Sequence, residues 1–144
     1  MVRRVIVPVL LLSGLVASCS TPAQSNTATA TTIQPNENRK AAGTLHDRIL
    51  TVRLEARRGT WYPEGPDGRG LDVAAWAEPG APMQNPGPLI RVPVGTEVRA
   101  TLKNTLDRKL NVSGFGAKRS SVDTTALDPG AEREVHFVAT TPGT

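Results

Sequence analysis

The residues of this chain that could bind a transition metal or act as strong nucleophiles are few and far apart. The 144 residues include one cysteine, Cys19, and two histidines, His46 and His136. Metal centres that use imidazole and thiolate need several such groups close together, and these three residues share no short motif. His136 alternates with Val135 and Phe137, so we expect its side chain on the solvent face of a strand. No phosphate-binding loop and no Ser/His/Asp arrangement is recognisable either.

Cys19 stands at the end of an N-terminal segment that is typical of an export signal. Two arginines precede the largely apolar residues 5–17, a run shorter than the roughly 20 apolar residues of a membrane-spanning helix. Val16-Ala17-Ser18-Cys19 resembles a bacterial lipobox, in which the cysteine is acylated. We therefore expect residues 1–18 to be a signal peptide and Cys19 to anchor an exported protein to the cell membrane. The alternatives are a cysteine of the core, or an ordinary signal with a chance cysteine.

The charge balance gives no support to nucleic-acid binding. The formal net charge of +4 falls to +2 if Arg3 and Arg4 leave with the signal. Aromatic residues make up 3% of the chain, and no run of Lys and Arg is interleaved with them. We therefore expect no nucleic-acid partner.

The segment after the cysteine differs in composition from the rest. Residues 19–43 consist mainly of Thr, Ala, Ser, Asn, Gln and Pro, with hardly an aliphatic side chain. Such a composition buries too little apolar area to offset the entropy lost on ordering. We expect a lipidated cysteine and a disordered tether here, and one folded domain over residues 44–144.

Short alternating segments in the second part predict β-strands. Apolar and polar side chains alternate clearly over residues 50–56 and 97–103, and more weakly at 71–77, 90–94, 110–112 and 134–139. Trp76 would lie on the opposite face of its strand from Ala75 and Ala77. Asp128-Pro129-Gly130 is typical of a turn. Because no segment has helical periodicity, the sequence predicts an all-β sandwich or barrel.

Three segments together resemble the first cupredoxin domain of bacterial multicopper oxidases. The first comprises Pro86-Gly87-Pro88-Leu89-Ile90-Arg91-Val92, Gly95-Thr96-Glu97-Val98 and Leu102-Lys103-Asn104-Thr105-Leu106. The second is Leu127-Asp128-Pro129-Gly130 leading into Glu134-Val135-His136-Phe137, and the third is Pro142-Gly143-Thr144. The resemblance covers about residues 43–144 and implies a cupredoxin-like Greek-key β-sandwich. The alternative is another β-sandwich with a Pro-Gly-Pro turn.

The resemblance also says where copper ligands would lie. In the family, this domain helps to hold copper in enzymes that oxidise phenolic or metal substrates and reduce oxygen to water. A copper-binding His-Gly pair is expected after Val112, but this chain has Ser113 and Gly114 there, and Gly116 offers no side chain. The second histidine motif of the family follows Pro-Gly-Thr, so we expect the last strand to be missing. Copper is the cofactor of the family, yet we expect none bound by this chain alone and no catalytic residue in it.

Two hypotheses of function follow. The chain is the N-terminal plastocyanin-like part of a laccase-like multicopper oxidase, inactive alone and completed by a missing C-terminal part or a second copy. Alternatively, it is a cell-surface cupredoxin-like binding or structural lipoprotein that has lost copper. An in-frame continuation of the gene beyond the Thr144 codon, with further His motifs, would distinguish the two.

Overall fold

A computed structural model of the chain describes residues 31–115 and 124–142. The predicted signal peptide, Cys19, the first part of the tether, Gly116, Gly143 and Thr144 lie outside this range. The described residues form β-strands and no helix, so none of them makes a helix that could cross a membrane. The prediction of an all-β sandwich is confirmed.

Nine strands follow one another in the described residues. They are β1 (Gln34–Pro35), β2 (Thr44–His46), β3 (Ile49–Trp61), β4 (Leu71–Ala77), β5 (Gln84–Asn85), β6 (Glu97–Asn104), β7 (Leu110–Ser113), β8 (Thr124–Leu127) and β9 (Glu132–Val138).

The main sheet has five strands and is built around the 13-residue strand β3. The first half of β3 pairs in parallel with β6, and its second half pairs antiparallel with β4. At the two sides of the β3–β6 pair, β2 pairs with β3 and β9 pairs with β6, both antiparallel. Parallel neighbours cannot be joined by a tight hairpin; after β3 and β4 the chain leaves the main sheet and returns to it at β6.

A second layer, formed by the antiparallel pair β7 and β8, covers one face of the main sheet. The predicted alternation is confirmed for the first half of β3 and for β6, because Leu50, Val52 and Leu54 and likewise Val98, Ala100 and Leu102 are buried between the layers. The buried residues of this main core are Ala42, Leu50, Val52, Leu54, Val98, Ala100, Leu102, Val112 and Leu127.

One predicted strand is wrong. Residues 90–94 form no strand: Ile90 and Val92 pack against the main core from an irregular segment. Prolines in and before this segment lack the N–H that a strand donates. Asp47 and Arg48 have φ of 46° and 62° and form the two-residue turn between β2 and β3, as in a type I′ hairpin.

Residues 31–42 were expected to belong to the disordered tether, but they lie against the domain. They are called the strap below. The Ile33 side chain is 2% exposed and that of Ala42 is 4% exposed. The Ile33 N–H donates to the Thr60 carbonyl at 2.8 Å, and β1 pairs in parallel with β5. Backbone hydrogen bonds and one well-placed isoleucine therefore hold a segment whose average composition favours disorder.

The strap covers a second, smaller core on the other face of β4. Ile33, Ala77 and Met83 are buried in it, with Trp61, Val73 and Ala75 packed around them. Trp76 points the other way and packs against the main core, as predicted. The two faces of β4 therefore both carry apolar side chains.

Candidate functional site

The position at which the resemblance expects a copper ligand lies at the end of β7. Ser113 is the last residue of this strand, lies opposite Thr124 of β8 and is exposed. Its Oγ is 3.2 Å from the Thr124 Oγ1. Gly114 follows with φ of 93°, a left-handed conformation that favours glycine and ends the strand. A neutral hydroxyl in this place is a poor ligand for copper, which prefers imidazole and thiolate.

A groove of about 350 Å³ runs beside Ser113, between β4 and β7. Its lining residues carry no charge and are Ala56, Ala74, Ala75, Trp76, Leu110, Asn111, Val112 and Ser113. Within the described residues β7 pairs only with β8, so its other backbone edge faces this groove. The groove can therefore bury apolar groups and offer backbone hydrogen bonds, but its side chains supply no acid, base or redox group.

The structure does not bring the two histidines to this groove. His136 is exposed on β9, opposite Arg99 of β6, and its predicted place on the solvent face is confirmed. His46 ends β2, where its Nδ1 lies 3.2 Å from the Asp47 Oδ2 and both side chains are exposed.

Copper therefore has no fitting set of ligands in the part of the chain that the structure describes. No three of its His, Cys, Asp and Glu side chains lie close enough together to hold a metal ion. Whether the whole chain binds copper stays a prediction.

Ion pairs on the strand surfaces shift the titration of two carboxylates. The Arg99 Nε donates to the Glu97 Oε1 at 2.8 Å, and this hydrogen bond lowers the pKa of Glu97. The Arg58 Nε donates to both carboxylate oxygens of Asp72 at 2.8 Å, which lowers the pKa of Asp72. Both pairs are solvent-exposed, so the shifts reflect surface ion pairing between neighbouring side chains.

Asn104 positions the second layer, and the sequence reasoning did not single it out as a buried polar residue. It is fully buried, and its Nδ2 donates to the carbonyls of Arg108 at 2.8 Å and Leu127 at 3.0 Å. Its Oδ1 accepts from the Leu106 N–H at 3.0 Å. The alternation of β6 contained the signal, because it places Asn104 on the same inward face as Leu102.

Comparison with known proteins gives matches among solved structures only. No protein-family model and no curated protein matches the chain. A multicopper oxidase from Pediococcus acidilactici is similar with a TM-score of 0.47 and 17% identity, over 83% of this chain and 27% of that protein. A multicopper oxidase from Campylobacter jejuni, described as a metallo-oxidase, has a TM-score of 0.45 and 20% identity, over 77% of this chain and 22% of that one.

A laccase-like multicopper oxidase from Ochrobactrum sp. is also similar, with a TM-score of 0.41 and 14% identity over 78% of this chain. These solved structures are multicopper oxidases, the class of protein that the three motif segments resemble. The chain spans only about a quarter of the length of the structures that it matches.

Proposed function

We propose that this chain is the N-terminal cupredoxin-like domain of a laccase-like multicopper oxidase, and that it acts as a scaffold with no copper ligands of its own. One observation carries the proposal. Asn104, from the first motif segment, donates to the carbonyls of Leu127 and Asp128, from the second. The backbone carbonyl of Asn104 in turn accepts a hydrogen bond from the Gly130 N–H at 2.9 Å. Segments that resemble the family in sequence are therefore one hydrogen-bonded unit in space.

The groove beside β7 supports the scaffold proposal. One extended strand added to the free edge of β7 would gain backbone hydrogen bonds and would cover Trp76, which is only partly buried. Copper ligands would then come from residues beyond those described, placed next to Ser113 and Gly114. Alone, the domain supplies the wall of such a site and no redox chemistry.

The scaffold is held at a membrane through Cys19 in this proposal. The support is the charged, apolar and small-residue order of the segment that ends at this cysteine. Expression in a bacterium fed with labelled palmitate should label the wild-type chain but not the Cys19→Ala variant. A wild-type chain that takes up no label would remove the anchor from the proposal.

Copper quantification tests the scaffold directly. The full chain, dialysed against a weak chelator, should retain no stoichiometric copper and should oxidise no phenolic dye. Ser113→His, which adds one imidazole at the end of β7, should change neither result, because a copper cluster needs several oriented imidazoles. About one copper ion held per chain, or turnover above that of free copper, would overturn the proposal.

A second candidate function is a self-standing cupredoxin-like lipoprotein that binds a partner or has a structural purpose. The observation in its favour is the packing of the main core, where Val98, Ala100 and Leu102 are all fully buried. Sequencing the gene past the Thr144 codon separates the candidates. An in-frame continuation with His-x-His motifs supports the oxidase domain, and a continuation without them supports the lipoprotein.

A further inference from the structure

The strap determines where the chain leaves the folded domain on its way to Cys19. The Thr60 N–H donates to the Thr31 carbonyl at 3.0 Å, so Thr31 lies beside the end of β3. Cys19 precedes Thr31 by 12 residues, and such a length of chain spans at most about 43 Å when fully extended. A folded domain of this size is roughly 35 Å across. A lipid on Cys19 therefore keeps Thr31 within about 43 Å of the bilayer, a little more than one domain diameter.

Apolar and aromatic side chains are concentrated at this end. Trp61 ends β3 and lies directly opposite Leu71 of β4, so the two side chains share one face of the sheet. Leu71 is 41% exposed, and Trp61 is partly exposed beside the small core. Tyr62 follows, with its ring against Gly70, where an added Cβ would lie 3.0 Å from the Tyr62 Cε1. We call Trp61, Tyr62, Gly70 and Leu71 the β3–β4 end.

The aromatic content of the β3–β4 end is unusual for this chain. The whole sequence has five aromatic residues, and two of them, Trp61 and Tyr62, are adjacent here. Trp and Tyr are enriched where membrane meets water, because an apolar ring and a polar group suit the headgroup level. The composition of this end therefore fits a lipid surface better than it fits bulk water.

Charge does not provide the attraction. The Arg58 guanidinium is paired with Asp72, and Arg69 is accompanied in the same loop by Glu64 and Asp67. The loop after β3 therefore carries one more acidic than basic side chain outside the ion pair. Contact with a membrane at this end has to be apolar and insensitive to salt.

We propose that the β3–β4 end faces the bilayer and that Trp61 and Leu71 contact the headgroup region. The proposal rests on the lipid anchor of the proposed function and adds the orientation in which the anchored domain is held. In this orientation the start of the strap, at Thr31, lies on the membrane side of the domain.

The two tryptophans provide a matched probe and control. The full-length lipidated chain is reconstituted into vesicles of phosphatidylethanolamine and phosphatidylglycerol, with or without bromine on the acyl chains near the headgroups. Trp76→Phe leaves Trp61 as the reporter, and Trp61→Phe leaves Trp76, which packs against the main core. Trp76 is five residues along β4 from Leu71, or about 17 Å. Bromine quenches tryptophan emission only at short range, so we expect about half of the Trp61 emission to be lost and that of Trp76 to be unchanged.

The outcomes separate the anchor from the orientation. If the wild-type chain does not float with the vesicles, the anchor is wrong and the orientation falls with it. If it floats but Trp61 is not quenched, or Trp76 is quenched equally, the anchor stands and the orientation is wrong. Loss of the Trp61 quenching in 1 M salt would contradict an apolar contact. Circular dichroism of both variants checks folding, and the wild-type chain, which has both tryptophans, should show intermediate quenching.

Discussion

Asn104 and Thr96 are both polar and both fully buried, yet they stand in opposite situations. The side chain of Asn104 makes hydrogen bonds with three parts of the chain, whereas the Thr96 Oγ1 has no hydrogen-bond partner in the structure. A buried polar group without a partner costs free energy that a paired one recovers. The alternation of β6 predicted that Asn104 points inward, but only the folded chain shows which carbonyls it meets, because Arg108 and Leu127 are brought to it by the turn and by β8.

Asn104→Ala is expected to lower the free energy of unfolding by about 3 kcal/mol, since it removes several hydrogen bonds and leaves buried carbonyls unpaired. The matched control is Thr96→Val, which removes a hydroxyl that has no partner in the structure and keeps the shape of the side chain. We expect this variant to be at least as stable as the wild type. Urea unfolding of the three proteins measures both changes, and similar losses in both variants would contradict the account of Asn104.

At the scale of elements, β3 determines the architecture, because its two halves pair with different strands. The alternation of Leu50, Val52 and Leu54 was sufficient to predict its first half, where one face is buried. The continuation of β3 to Trp61 could not be predicted from alternation. Gly59 and Thr60 interrupt the apolar pattern, because at these positions β3 packs closely against the strap. Residues 90–94 show the opposite case. Their alternation predicted a strand, but Ile90 and Val92 pack against the main core from an irregular segment.

Gly59→Ala is expected to displace the strap. An added Cβ would lie 2.6 Å from the Thr31 carbonyl oxygen and 3.0 Å from the Ile33 Cγ1, and the backbone of the strap cannot give way cheaply. Amide hydrogen exchange at Ile33 and Gln34 should become faster, while exchange at Val98 and Ala100 in β6 should not. Gly87→Ala is the control, because its nearest neighbour would be 3.7 Å away. Unchanged exchange at Ile33 would show that the strap tolerates the methyl group.

The Arg58–Asp72 pair between β3 and β4 predicts a pH dependence. The hydrogen bond from Arg58 lowers the pKa of Asp72 below its ordinary value of 3.8. The pair therefore contributes stability above pH 3.8 that is lost as the pH falls through the lower folded-state pKa. The melting temperature of Asp72→Asn should depend less on pH below 4 than that of the wild type. Asp67→Asn, at a carboxylate for which the structure shows no ion pair, should follow the wild-type profile.

For the whole molecule, the two layers are unequal in extent. The five-stranded main sheet faces a second layer of only two four-residue strands, and Val135, Phe137 and Trp76 remain partly exposed beside the main core. The free edge of β9 carries charged residues, which discourage pairing with another chain. The edge of β7 reads Leu110-Asn111-Val112-Ser113 and has no charge. Among the described residues, the β7 edge is therefore an uncharged edge that is open to association.

Self-association through β7 is expected when the domain is isolated at high concentration. Sedimentation velocity should show dimers or larger species for the wild type, and Asn111→Lys, which puts a charge on the exposed β7 edge, should shift the population to monomer. Thr51→Lys, at an exposed position of the main sheet, is the control and should associate like the wild type. A wild-type chain that stays monomeric and melts in one sharp transition would show that the two layers are sufficient by themselves.

Tension on the N-terminus would reach this fold through the strap before it reaches any other element. Its backbone contacts with the rest of the domain are arranged in series, from Thr31 at Thr60, through Gln34 at Met83 and Asn36 at Asn85, to Ala42 at Leu89. A load would break them one after another and would free up to about 40 Å of chain before the pairing between β3 and β6 is loaded. The strap can thus detach and extend under load while the hydrogen-bonded unit around Asn104 stays folded.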